Sequence, residues 1–190
     1  IEIDGVPFCY ELEVSDLSDR KKNKIGRLVV LYDITERKRS EELLTYAANY
    51  DALTGLVNRQ YFKGLAESVL QSHKIAGKMV ALLYVDLDNF KSMNDRFGHE
   101  VGDALLKETA CKMKSVLREG DIAARIGGDE FIILITNLET EGEALHLTEK
   151  ILGITREPVK INGTNLLITL SIGLGYYPGD SQDIDDLIKK

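Results

Sequence analysis

From Asn49 onward the sequence predicts an α+β fold, a mostly antiparallel sheet with helices packed on it, and three observations carry the prediction. Residues 79–85 are almost wholly apolar, as a central strand covered on both faces requires, and residues 166–173 form a second strongly apolar strand. Residues 124–135 have the pattern of a hairpin: an apolar approach, Gly127-Gly128, then Asp129-Glu130 leading into Phe131-Ile132-Ile133-Leu134-Ile135. Between these strands apolar residues recur at helical spacing, which gives the order αβααββαββα.

The 190 residues suffice for one substantial core and a smaller appendage. A net charge of −7 argues against a polyanion-binding surface and so against a nucleic-acid partner. An acidic protein that handles a nucleotide then needs a metal ion or a local cationic patch. Cys9 and Cys111 fit no metal-ligand spacing, which points to reduced thiols and a cytoplasmic setting. No apolar run approaches the ~18 residues of a membrane span and no signal peptide is present, so no membrane contact is expected of this stretch. Whether a longer parent chain is membrane-anchored stays open.

Val6, Phe8, Tyr10, Leu12 and Val14 alternate with polar residues, as in a strand with one buried face. A polar turn at 19–24 leads to a second strand through Leu28-Val29-Val30-Leu31-Tyr32. Two strands alone are marginal in water, so they belong with something larger. Asp33-Ile34-Thr35-Glu36 marks a helix start, with Glu36 placed to close a capping box on Asp33 or to complement the helix dipole. The helix at 35–49 is highly charged, and its sparse apolar residues Leu43, Leu44, Ala47 and Ala48 suit a solvated or dimerising connector.

Asp51 to Arg59 is a loop with helix-start chemistry, feeding a helix through Phe62, Leu65, Val69 and Leu70. The central strand ends in Asp86-Leu87-Asp88-Asn89-Phe90-Lys91, which sets carboxylates at the rim of the sheet, where sites in α/β-type proteins are commonly built. Asp88 or Asn89 is equally explained as a helix cap; Asp86, still on the strand, is not. Residues 100–118 form an amphipathic helix with Leu106, Ala110, Met113 and Leu117 on one stripe, and Asp103 is expected on that inward stripe. For Asp103 a favourable helix-dipole contact and a ligand-facing role are balanced. Thr140 to Glu143 has the spacing of a capping box, residues 159–161 and 166–175 are expected to pair around Asn162-Gly163, and a last helix begins near Asp180.

Adjacent carboxylates beside an open Gly-Gly turn suit a hard cation such as Mg²⁺, although by itself such a turn is more simply a solvated loop. Asp86 and Asp129 on neighbouring strands place two acids where metal ions can neutralise a triphosphate and lower a hydroxyl pKa. Lys91 and the backbone N–H groups of residues 87–90 are set to meet phosphate oxygens. Asn94 and Asp103 supply the amide and carboxylate that a guanine edge requires, since a carboxylate accepts from both N1–H and N2–H.

The residues Asp51 to Arg59, Asp86 to Lys91, Asn94, Phe97-Gly98-His99, Gly102-Asp103 and Arg125 to Phe131 resemble the GGDEF family of diguanylate cyclases. The resemblance implies a fold related to nucleotidyl cyclases and polymerase palms. It also implies condensation of two GTP into cyclic di-GMP with release of two pyrophosphates, by a homodimer. In that family the positions matching Asp86, the Leu87 carbonyl, Asp129 and Glu130 hold Mg²⁺ (or Mn²⁺). The match to Asp129 also serves as base for the ribose 3′-hydroxyl. Asn94 and Asp103 match the guanine readers, Asn89, Phe90 and Lys91 the phosphate-contacting turn, and Lys91 also stabilises the transition state. Arg118 and Asp121 match an Arg-x-x-Asp site where the product inhibits; a helix-terminal Arg118 would explain the arginine without Asp121. The family continues past this sequence with a helix bearing a basic pair, so residues 51–190 are expected to lack that C-terminal region. Residues 1–34 resemble the closing strands of a PAS sensory domain, and residues 35–50 its signalling helix. The competing class is a module that binds GTP or cyclic di-GMP without turnover, which the intact 127–131 stretch disfavours. A cyclase acting on a single nucleotide would need adenine-capable contacts, which Asp103 disfavours.

Overall fold

The computed structural model describes residues 2–3 and 6–189, which fall into two units, Ile1–Ala48 and Asn49–Lys190. Lys190, in the basic end of the expected last helix, lies outside the described residues.

In the first unit, short strands β1 (Glu2–Ile3) and β2 (Val6–Pro7) pair antiparallel, and β3 (Tyr10–Ser18) pairs with β4 (Lys24–Asp33). The expected first strand is therefore interrupted at Phe8-Cys9. Leu12 stands opposite Leu31 and Val14 opposite Val29, so the apolar residues share one face as their alternation requires. That face is not buried: Leu12, Val14, Val29 and Leu31 are all exposed, because the β3–β4 sheet has two strands and no layer within the unit covers it. Helix α1 (Thr35–Asn49) starts where expected, but its cap differs. Asp33 accepts from the Thr35 amide and hydroxyl, at 2.9 and 2.5 Å, and Thr35 Oγ1 in turn accepts from the Cys9 amide at 3.0 Å. The anchor is thus Asp33 to Thr35, with no reciprocal bond from Glu36 among the described residues.

The second unit is built on a five-stranded sheet in the order β11-β6-β8-β7-β5. Its members are β5 (Val57–Asn58), β6 (Met79–Leu87), β7 (Ile122–Gly127), β8 (Glu130–Leu138) and β11 (Leu170–Tyr177). All neighbours are antiparallel except β5 and β7. The strand β6 alternates between two cores. Ala81, Leu83, Val85 and Leu87 meet α4 (His99–Val116) and α5 (Glu141–Ile154), while Val80, Leu82 and Tyr84 meet α2 (Arg59–Ala76) and α6 (Ile184–Lys189). Each fully buried Phe or Leu side chain contributes roughly 1.5–3 kcal/mol, so this doubly covered sheet is the stable frame and the first unit's exposed hairpin is not.

Four expectations about helices and strands shift. The α4 helix ends at Val116 with Leu117 as its cap, so Arg118 lies in the following turn and is no helix terminus. Its buried stripe runs Gly102, Leu105, Leu106, Thr109, Ala110, Met113, and Asp103 is exposed beside it. The 3.6-residue period explains the error: three residues before Leu106 falls at the stripe's edge, whereas Gly102, four before, falls at its centre. The long C-terminal strand divides into β10 (Thr164–Leu166), which pairs with β9 (Val159–Ile161) across Asn162-Gly163, and β11, which joins the main sheet. At α5, Thr140 is the N-cap without a side-chain bond, and Glu143 instead accepts from the Glu139 amide at 3.2 Å.

Candidate active site at the rim of the sheet

Asp86 is the last outward residue of β6 on the α2–α6 side, and the register sets it directly opposite Glu130, the first residue of β8. Asp129 sits in the turn just before, where its carbonyl accepts from the Leu87 amide at 3.3 Å. Gly128 makes this turn possible, holding φ +52° where an L side chain is strained. Three acidic residues from two chain segments thus meet at one rim. Burial, and then the charges of Asp129, Glu130 and Asp88, raise the Asp86 carboxyl above its ordinary value. Repulsion of that kind is what a cation relieves.

Among the described residues, no three His, Cys, Asp or Glu side chains converge closely enough to cage an ion by themselves. The donor set therefore fits Mg²⁺, which takes one or two carboxylates and leaves positions for water and substrate phosphates, better than it fits a closed structural metal.

Asp88 is drawn away from this group. Its carboxylate accepts from Ser171 Oγ at 2.6 Å and its amide donates to Thr169 O at 3.0 Å, so the β6 exit is clamped to the start of β11. The Ser171 hydroxyl, with that of Thr169, lowers its pKa. Two of the four backbone amides expected to meet phosphate are therefore already used, those of Leu87 and Asp88. The amides of Asn89 and Phe90 remain at the start of α3 (Phe90–Phe97), where Asn89 takes the left-handed conformation at φ 58° without capping through its side chain. Lys91 is exposed in the first turn of α3, where a cation opposes the helix dipole; an anionic ligand there would relieve that conflict.

Asn94 and Asp103 lie elsewhere, on the α3–α4 pair rather than beside the carboxylates. Asn94 packs on Gly102 so closely that a Cβ at 102 would overlap its Oδ1. That Oδ1 is buried and has no hydrogen-bond partner among the described residues. A buried acceptor left unpaired costs about 1–3 kcal/mol, so an orphan beside a cradle that only glycine permits is a mark of a missing donor.

At the other end of β7 the turn 118–121 closes on itself. Asp121 accepts from the Arg118 amide at 3.0 Å and from the Thr136 amide at 3.1 Å, while Arg118 Nη1 pairs with Glu143 at 3.2 Å. Asp121 therefore has a structural role that the sequence did not suggest. Arg118 and Asp121 line a cleft of about 440 Å³ with Tyr50, Tyr61 and Lys114. The cleft takes in Ile122 and Ala123 at the start of β7, so the remainder of that strand, Ala124 to Gly127, roughly 13 Å, separates it from the carboxylates.

Two partnerships went unassigned from sequence. Arg125 donates to Gly128 O at 3.0 and 2.8 Å and to Asp51 at 3.1 and 3.3 Å, tying the glycine turn to the loop before α2. The Asp51-x-x-Thr54 spacing signalled the loop half of this link, since Asp51 also accepts from the Thr54 amide and hydroxyl. The second is Tyr84, whose phenol is pushed up to about 12 by burial first, and then by the neighbouring carboxylates of Glu130 and Asp86. Nothing in an apolar strand pattern marks it.

A family model described as "Diguanylate cyclase, GGDEF domain" matches residues 48–190. Diguanylate cyclase DgcM of Escherichia coli is 40% identical over 165 residues, 86% of this chain and 39% of that protein. Cyclic di-GMP phosphodiesterase NbdA of Pseudomonas aeruginosa is 39% identical over 146 residues, 77% of this chain and 18% of that protein. The chain thus spans well under half the length of these curated relatives. Among solved structures, the coiled coil and GGDEF domain of DgcB from Caulobacter crescentus in complex with c-di-GMP has a TM-score of 0.72 at 28% identity, covering 81% of this chain and 82% of that one. The GGDEF domain of PA1120 (TpbB or YfiN) from Pseudomonas aeruginosa has a TM-score of 0.69 at 34% identity, covering 74% and 86%.

Proposed function

The chain belongs to the family of GGDEF diguanylate cyclase domains, and from that premise we propose that it condenses two GTP into cyclic di-GMP. The observation that carries the reading is the register of Asp86 against Glu130 with Asp129 held at the adjoining turn, three acids that repel one another at an open rim. Mg²⁺ or Mn²⁺ held by Asp86, the Leu87 carbonyl, Asp129 and Glu130 would neutralise triphosphate charge and acidify a hydroxyl. In this reading Asp129 takes the proton of a ribose 3′-hydroxyl, whose oxygen forms a bond to the α-phosphorus of the other GTP as the bond to pyrophosphate breaks. The same exchange in the opposite sense closes the ring. Lys91 and the amides of Asn89 and Phe90 bind phosphate oxygens. Asn94 Oδ1 accepts from guanine N2–H, which supplies its missing donor, and exposed Asp103 accepts from N1–H and N2–H at the pocket's edge. A base on α3–α4 and phosphates at the rim of β6 call for an elongated ligand, as a nucleoside triphosphate is.

Each site in this reading carries one GTP, so two copies must face each other for a 3′-hydroxyl to meet an α-phosphate in near-attack geometry. Leu43 and Leu44, 70% and 71% exposed on α1, supply a pairing seam. The first unit is in this reading the end of a PAS-type domain feeding α1. Substituting both leucines with Glu should make specific activity rise with protein concentration; a sedimenting monomer with concentration-independent activity refutes the pairing. Product inhibition is assigned to Arg118 at the 118–121 turn, with Asp121 shaping the turn.

A segment 39% identical to this chain occurs in a protein named as a cyclic di-GMP phosphodiesterase, NbdA, and this motivates a second reading, a domain that binds GTP or cyclic di-GMP without turnover. Incubation with GTP and Mg²⁺ followed by mass spectrometry separates the two: cyclic di-GMP supports the cyclase, and GTP bound but unchanged supports the regulatory module.

A further inference from the structure

Asp88 and Asn89 are both chemically suited to cap α3, and among the described residues neither does so. Asn89 occupies the N-cap place, but its side chain makes no cap bond. The Asp88 carboxylate turns to β11 instead and accepts from Ser171 Oγ at 2.6 Å. The register explains how they meet: Ser171 stands opposite Asp86, which makes Asp88, two residues on, its diagonal neighbour. An aspartate at a turn ordinarily bonds its own backbone two residues on. From position 88 that donor is the Phe90 amide, at the positive end of the α3 dipole. A carboxylate there would take the place of an anionic ligand. The turn itself does not depend on the side-chain bond, because the Asp88 amide also donates to Thr169 O at 3.0 Å.

We propose that Ser171 is a positioning residue for the triphosphate: its hydroxyl holds the Asp88 carboxylate off the start of α3 and so leaves the Asn89 and Phe90 amides open to phosphate oxygens. Asp88 and the phosphates are then rivals for one set of donors, and the serine on β11 keeps the built-in rival away. The inference rests on the cyclase-site reading above, in which those amides bind phosphate. It makes an asymmetric demand on the pair. If the Ser171 to Asp88 bond only braced the fold, losing either partner would do equal harm. If it restrains a rival, losing Ser171 weakens the ligand, whereas losing Asp88 does not.

The test titrates the 190-residue chain by calorimetry, in Mg²⁺, with a GTP analogue whose α- and β-phosphorus atoms are joined by a methylene group and which is not turned over. Ser171→Ala should weaken binding by about five- to tenfold, the size of a helix-capping bond expressed as affinity. Ser171→Thr, which keeps the hydroxyl, should stay within about twofold of wild type. Asp88→Ala should bind at least as tightly as wild type. Combined with Ser171→Ala it should restore the affinity that Ser171→Ala alone loses, since no carboxylate is left to cap α3. Analogue affinity unchanged by Ser171→Ala, or an equal loss from Asp88→Ala and Ser171→Ala, overturns the assignment and leaves the site reading intact. Wild-type protein that does not bind the analogue overturns both.

Discussion

Replacing Arg125 with alanine should unsettle the hairpin from a position that touches no substrate. The guanidinium makes four contacts of 2.8–3.3 Å, two with Gly128 O and two with Asp51. Arg125 is 14% exposed and Asp51 24%, so water screens this pair much less than a surface ion pair. Hydrogen bonds to charged groups contribute about 1.5–3 kcal/mol each, but four that share one guanidinium do not add, and Asp51 keeps both bonds from Thr54. The net loss is about 2–4 kcal/mol, a fall in Tm on the order of 5–15 °C for a unit of this size. Arg125→Lys keeps the charge but not the fork and should fall between. Turnover should drop with the freed turn while GTP affinity holds, since the proposed reading has the base bind on α3–α4. The Asp51 carboxyl supplies a second readout. Burial would raise its pKa, but the Thr54 hydroxyl and amide, and then Arg125, outweigh burial and lower it. A folded pKa below the unfolded value means stability fully present above about pH 3.9 and lost as pH falls through the folded value. The Tm gap between wild type and Arg125→Ala should therefore narrow on acidification below about pH 4. Melting curves from neutral to acid pH decide the matter: equal Tm at neutral pH, or a gap that does not change with acid, refutes the clamp.

Other substitutions probe the site piece by piece. Asp129→Ala should cost at least ~100-fold in turnover with GTP binding retained, and activity within about tenfold of wild type would sink its assignment. Gly102→Ala should displace Asn94, weakening GTP by about tenfold or more with the fold intact by circular dichroism, because the new Cβ occupies the place of Oδ1. Undiminished GTP affinity would show that Asn94 does not read the base. Arg118→Ala should leave initial rates nearly unchanged while added cyclic di-GMP no longer slows them; inhibition that persists would reduce Arg118 to the partner of Glu143 seen here.

Local chemistry made much of this protein legible in its sequence. The apolar run of β6, the Gly127-Gly128 turn and the spacing of the helices specify elements through burial and backbone freedom, which are properties of neighbouring residues. The acids at 86, 129 and 130 were legible for the same reason, since a carboxylate at a strand exit or a glycine turn stands out against its surroundings. What the tertiary structure decided was pairing. The leap of β11 to the far edge of the sheet, the exposure of Asp103 beside a buried Gly102, and the use of Asp121 to tie a turn to Thr136 each depend on partners far away in the chain. So do the bonds of Arg125 to Asp51. A sequence displays each hydrogen-bonding group but not its partner, and only the register of distant strands determines which donor meets which acceptor.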